Sequence, residues 1–279
     1  MITVNSISGG KTSGYIYANY PAEHNVFALV CNNDPKCAHP DKKLMQMAND
    51  RLAIYTPQWG EFIGTPEHPS IIKTVFDLEQ KYGREITWLR GISFDDLCKK
   101  RSAIPNMFKR FCTTEMKMIP IFEYCYYRLS PMVRMRIGYR YDELERVDRF
   151  TDTIEHSEVC DIRTKNSIHR WKNTTWREGE FVLVDDKVDH WKVFQWSRTT
   201  GIYFAKDSNC QNCFWKDEQQ LRKNFDDAPP QMEWAKNLEK EHGYTFKSSM
   251  SLEQIEEIGL QLDFAFGTGA GCSSGGCTD

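Results

Sequence analysis

Ile2-Thr3-Val4-Asn5-Ser6-Ile7-Ser8-Gly9-Gly10-Lys11-Thr12-Ser13 joins an apolar run, a double glycine and the hydroxyl-rich start of a helix. A strand that feeds a glycine turn and then a helix gathers backbone N–H groups at a positive helix end, which makes an anion cradle. Gly9 and Gly10 let phosphate oxygens approach the main chain with no Cβ in the way. Lys11 adds a charge, and Ser8, Thr12 and Ser13 add hydroxyl donors. The group expected there is a phosphate. The spacing matches neither GxxxxGK[ST] nor GxGxxG, so this is neither the P-loop of kinases and GTPases nor the dinucleotide fingerprint.

Outward from that turn, Val26 to Cys31 is a nearly continuous apolar run, the pattern of a parallel strand covered on both faces. In an open parallel sheet, ligands bind beyond the carboxyl ends of the strands, so Asn32, Asn33 and Asp34 are expected to meet a base or ribose edge. Apolar spacing and breakers predict helices over 14–20, 43–51, 71–82 (stopped by Gly83), 94–101, 114–127, 188–196 (capped by Asp185 or Asp186) and 218–225. Further strands are expected over 52–56, 132–138 and 181–184, while 151–179 is polar and has no clear period. The fold class is therefore α/β, a parallel twisted sheet flanked by helices. Three regions are expected: 1–150 binds the nucleotide, 151–266 forms a subdomain carrying a CxxC, and 267–279 is a Gly/Ser/Cys tail.

The 279 residues carry a net charge of -3, so no global basic field points to nucleic acid. No apolar run approaches the ~20 residues of a membrane span, and no leader is read at the N-terminus. A reducing cytoplasm is the expected compartment. There, ten cysteines point to metal or redox chemistry more than to disulfides.

Three stretches carry candidate chemistry. Cys112 lies among Lys109, Arg110 and Lys117 just before a helix, and both the charges and the helix start favour a thiolate, hence a ligand or nucleophile. Cys31, Cys98 and Cys125 sit in apolar runs and read as packing residues. In Gly138-Tyr139-Arg140-Tyr141-Asp142-Glu143-Leu144-Glu145-Arg146, the glycine permits close approach at a strand end. Arg140 and Arg146 can grip a polyanion, while Asp142 and Glu143 either orient those arginines or hold magnesium. Cys210 and Cys213 form a single CxxC, which brings two sulfurs within reach of one metal or of each other. Any further ligands must come from elsewhere in the chain. The stretch from Arg163 to Arg177, with His169, Arg170, Trp171, Lys172 and Trp176, is either a nucleic-acid groove or a polar surface.

SGGKTS, RFCTTEMKMIP from Arg110, GYRYDELER from Gly138 and NCQNC from Asn209 follow one another in the order seen in phosphoadenosine phosphosulfate (PAPS) reductase-like proteins. These belong to the PP-loop, or adenine nucleotide α-hydrolase, superfamily, and the chain most resembles the branch found in bacteria and phages. The resemblance spans most of residues 1–225. It implies a Rossmann-like fold of that superfamily, with an adenine nucleotide (PAPS, APS or ATP, the last with Mg2+) bound at SGGKTS. It also implies a 4Fe-4S cluster on Cys112, Cys210 and Cys213, with zinc as the alternative occupant and Phe214 and Trp215 as a shield. Cluster-bearing reductases carry a CysCys pair where this chain has Cys112-Thr113, so the fourth iron is either open or held by Cys37, Cys160, Cys272 or Cys277. Their ECGLH-like segment is absent, and the tail GTGAGCSSGGCTD stands in its place.

Three readings follow from the resemblance. In the first, Lys11, Arg140 and Arg146 neutralise a phosphosulfate, Cys272 or Cys277 attacks its sulfur, sulfite leaves, and thioredoxin or glutaredoxin restores the enzyme. In the second, an ATP pyrophosphatase-type sulfurtransferase adenylates and thiolates tRNA or DNA. The third is a nucleotide- and metal-binding protein without turnover. A homodimer is the common outcome for such chains.

Overall fold

The computed structural model describes residues 1–163, 166–206 and 208–260, except for the side chains of 157–163 and 166–170. Its centre is a five-stranded sheet built from β1 (Ile2–Ile7), β2 (His24–Ala28), β3 (Thr87–Leu89), β4 (Val133–Arg136) and β7 (Arg177–Glu180). The order is β3-β2-β1-β4-β7 and every pairing is parallel. Alternation along β2 shows why its sequence is apolar throughout. Phe27 packs into one cluster with Ile7, Tyr17 and Trp88, whereas Val26 and Ala28 pack into another with Val4, Ile121 and Met135. Asn5 and Asn25 are register partners in this buried sheet: Asn5 Nδ2 donates to Asn25 Oδ1 at 3.0 Å, and Asn25 Nδ2 donates to Glu85 O at 3.1 Å.

Helices α1 (Lys11–Asn19), α2 (Lys42–Tyr55) and α3 (Ser70–Tyr82) contribute to the first face, and Gly83 ends α3 in the left-handed region at φ 64°. α4 (Phe94–Arg101) starts on Ser93, whose hydroxyl accepts the Asp96 amide. Residues 111–129 then run as one helical stretch, α5 (Phe111–Thr113) and α6 (Ile119–Tyr124), each followed by a π turn. α7 (Leu144–Val147) follows β4. β5 (Thr153–Arg163) and β6 (Asn166–Thr175) form an antiparallel hairpin outside the main sheet. α8 (Val182–Asp185) and α9 (His190–Thr199) pack on α1, and α10 (Glu218–Asp227), α11 (Pro229–His242) and α12 (Leu252–Glu257) build a helical cluster that also takes in Val30, Phe94 and Leu97.

Several expectations are corrected. Residues 52–56 continue α2 instead of forming a strand; Leu52 is buried on the helical stripe that also buries Ala48. The third strand is Thr87–Leu89, too short to show a period. Residues 182–185 are helical, and the strand lies just before them in the polar Arg-Glu-Gly-Glu of β7, an edge strand that pairs on one side only. α9 is capped by Asp189, whose carboxylate accepts the Lys192 amide at 2.9 Å. Because β7 pairs with β4, the sheet extends past the boundary expected at residue 150. No helix among the described residues is long and apolar enough to cross a membrane.

From β1 the chain winds to β2 on one side, while β4 lies on the other. The crevice beyond the carboxyl ends of β1 and β4 is therefore the topological switch point, where open α/β sheets bind ligands.

Candidate functional site

The glycine turn occupies that crevice. Gly9 has φ +73°, and a Cβ there would fall 2.6 Å from Ile71 Cγ2. Gly10 is the cap residue of α1 with no side-chain cap, which leaves first-turn amides for a ligand. A Cβ on Gly10 would fall 2.6 Å from Ser208 Oγ, so the segment before the CxxC lies against the turn. Gly9→Ala combines a disfavoured backbone with this overlap and is expected to cost about 1–3 kcal/mol in urea unfolding.

Ser13 lines the cavity at the turn and also bonds within it. Its hydroxyl donates to Gly10 O at 3.1 Å and accepts the Ser8 amide at 3.0 Å, while Ser8 Oγ lies 3.1 Å away. At 5 % exposure it braces the loop from inside. Asn33 and Asp34 stand elsewhere. The Asn33 amides bond Asp95 and Asp96, and Asp34 caps a short 3-10 turn at Pro35–Cys37. Neither lines the cavity at the glycine turn.

That cavity, of about 110 Å³, is lined by the turn, by Gly138 and by Lys11, Lys117, Arg140, Arg146, Lys206 and His190. Glu143 is the one carboxylate residue in its lining among the described residues. Its Oε1 accepts Arg146 at 2.8 Å and Arg140 at 3.3 Å, and its Oε2 accepts the Arg140 amide at 3.1 Å. The Arg146 guanidinium lies 4.4 Å from the Tyr139 ring centroid. Arg140 also donates to Thr12 Oγ1 at 3.3 Å and to Asp142 at 3.1 Å, so it ties the β4 loop to the start of α1. Burial alone would raise the Asp142 carboxyl, but the Arg140 hydrogen bonds and charge outweigh it and hold the group below the usual carboxylate range. Asp142 and Glu143 thus orient the arginines. Lys11 Nζ donates to Ala205 O and Lys206 O, both at 3.1 Å, and straps the 205–206 segment to the turn.

A second, smaller cavity of about 40 Å³ is lined by Cys112, Cys210 and Cys213 with Val30, Met116 and Phe214. Cys112 comes from α5 and the other two from a turn some hundred positions later; the fold brings all three sulfurs to one wall. Phe214 lines this cavity, and Trp215 lies behind it under Arg110, 5.1 Å from that guanidinium. At Cys112 burial acts against the direction that its charged neighbours and the helix start favour. Burial, with the neighbouring Cys213 sulfur, pushes its thiol up to about 11, and burial with the Glu67 charge raises Cys210 well above the ordinary thiol value. Three thiols lining one void suit a thiophilic metal centre. Among the described residues no three Cys, His, Asp or Glu side chains form a ready metal site, so the sulfurs share a cavity without closing on one point.

Lys117 and Asn209 line both cavities. Lys117 Nζ bonds Glu67 Oε1 at 2.8 Å, and Glu67 is fully buried and bridged through its backbone to Cys210. Sequence reading missed Lys117, Glu67 and His190 as site residues. Only the spacing of Lys117 after Cys112 hinted at any of them.

Cys31, Cys98 and Cys125 are core residues as expected, and Cys37, expected outside the core, is fully buried with its thiol against Pro230 O at 3.5 Å. The Cys160 side chain and Cys272 and Cys277 lie outside the described residues. Trp176 is fully buried against Phe122 and cannot stack a base, whereas Trp171 is 65 % exposed. Compared with family models, curated proteins and solved structures, the chain finds no match.

Proposed function

We propose that the chain is an iron–sulfur enzyme of the PAPS reductase-like kind, carrying out sulfur chemistry on an adenylyl nucleotide in a PP-loop fold. One observation carries this reading: the basic cavity at the glycine turn and the cavity of three cysteines share the walls Lys117 and Asn209. A phosphosulfate seated on the turn meets Lys11, Arg140 and Arg146, whose charges neutralise the anion and stabilise the departing phosphate. A thiolate of Cys272 or Cys277 forms a bond to the sulfonate sulfur as the S–O bond breaks, and the electron pair leaves on the 5′-phosphate. A thiol of thioredoxin or glutaredoxin then attacks the S-sulfonated cysteine, sulfite departs, and the partner's second thiol resolves the mixed disulfide. A 4Fe-4S cluster on Cys112, Cys210 and Cys213 supplies, when bound, a polarising field at the edge of the anion cavity. Lys117 stands between the two sites.

Anaerobically purified protein is assayed for iron and sulfide, then incubated with APS, PAPS or ATP in the presence of a thiol reductant. Sulfite release from APS or PAPS without ATP turnover is the expected result. Pyrophosphate release from ATP with Mg2+ would replace this reading with a nucleic-acid sulfurtransferase. Nucleotide binding with no product would leave a protein that binds without turnover.

A further inference from the structure

α9 lays an aromatic step against the basic cavity. Val193 and Trp196 turn inward; Val193 is 2 % exposed, and Trp196 meets Tyr15 edge-on at 5.4 Å. His190 and Phe194, one helical turn apart, line the cavity together with Val193. Their rings are near parallel, 15° apart with centroids at 6.2 Å, and Trp191 stacks on Phe194 at 5.7 Å and 28°. Trp191 is 60 % exposed, and Arg198 lies 5.8 Å from the Phe194 centroid. Among the described residues Phe194 belongs to none of the buried clusters, so its ring is not explained by core packing. The backbone amide of His190 bonds Asp142, the carboxylate that also holds Arg140, so the aromatic step and the anion grip share one anchor.

Planar rings at the rim of a cavity lined by several cations match one ligand class: a heteroaromatic base carried on phosphate. Bases stack on exposed aromatic faces whatever their identity, while cations hold the phosphate. We infer that His190 and Phe194, with Trp191 outside them, form a base-stacking platform for a ligand whose phosphate occupies the glycine turn. The inference rests on the reading that this turn binds the phosphates of a nucleotide. The base comes either from a mononucleotide or from a single strand.

The test is calorimetric titration of the full chain and of Phe194→Leu and His190→Ala with inorganic pyrophosphate, ADP and a short 5′-phosphorylated oligodeoxyadenylate. Leucine keeps the apolar volume and removes the ring. The expected result is that each variant loses about 5- to 100-fold in affinity for a base-bearing ligand, and that Phe194→Leu, which removes no polar group from the cavity, stays within about twofold for pyrophosphate. Loss confined to ADP assigns the base to a mononucleotide, and loss confined to the oligonucleotide assigns it to a strand. Unchanged affinity of both variants for both base-bearing ligands, or an equal loss for pyrophosphate in Phe194→Leu, overturns the platform and leaves the anion site standing. If the unmutated chain binds no pyrophosphate, the phosphate reading of the turn fails and the platform falls with it.

Discussion

Cys210→Ser protein, purified without oxygen, is expected to lose essentially all of its iron–sulfur absorbance and acid-labile sulfide. Cys210 is tied into the wall of the cavity: its backbone is bridged to the fully buried Glu67, and it lines the cavity with Cys112 and Cys213. Serine keeps the shape and removes the sulfur, so the comparison with a second buried cysteine separates ligation from stability. Changes to the groups around metal ligands cost about 10- to 100-fold in metal affinity, and loss of a ligand should exceed that. Cys98→Ser is the matched control. That cysteine is fully buried in the adjoining cluster but does not line the cavity, and its variant should keep the chromophore. Full iron and sulfide content in Cys210→Ser would remove Cys210 from the ligand set, and retention in all three single variants would remove the cluster.

Arg140→Ala is expected to weaken pyrophosphate binding by about 10- to 150-fold, the range for losing a hydrogen bond to a charged group. Two effects act together. The guanidinium that joins Thr12 to the β4 loop is lost, and Asp142 and part of Glu143 are left without their cation beside an incoming anion. Arg146 still holds Glu143 at 2.8 Å, so the loop should keep its shape, and Arg140→Lys should recover part of the affinity because a point charge replaces a two-pronged grip. Titration at rising salt gives the check. The variant should show a shallower salt dependence than the parent, because one fewer cation meets the ligand. Equal affinity in parent and variant would place the anion elsewhere than on the β1–β4 crevice.

Legibility in the sequence followed the range of the interaction. Gly9 and Gly10 announce the turn because a positive φ and a close approach to Ile71 and Ser208 are demands on those residues themselves. The stripes of α3 and α4 were readable because a helix repeats its demand every three or four positions. β7 was hidden because an edge strand meets the sheet on one side and carries Arg-Glu-Gly-Glu without penalty. Residues 52–56 misled because a β-branched, aromatic run ending a helix looks like a short buried strand. Asn33 and Asp34 misled because the carboxyl end of a strand says where a loop starts, and only their bonds to Asp95, Asp96 and Lys36 say which way it turns.

The residue types of the site were present in the linear chain: a glycine turn, two arginines after a strand, one cysteine near a helix start and a CxxC. By itself the sequence determined the class of fold and which thiols belong to the core, apart from Cys37, because backbone freedom and apolar period act within a few residues. Tertiary structure decided the rest. The parallel order β3-β2-β1-β4-β7 opens the crevice between β1 and β4 and brings the Cys112 helix beside the Cys210 turn. It also sets Lys117 in the wall between the two cavities, against a carboxylate fifty positions away. Burial pushes the Cys112 thiol up, and no run of neighbouring residues encodes burial, so local charge alone pointed the other way.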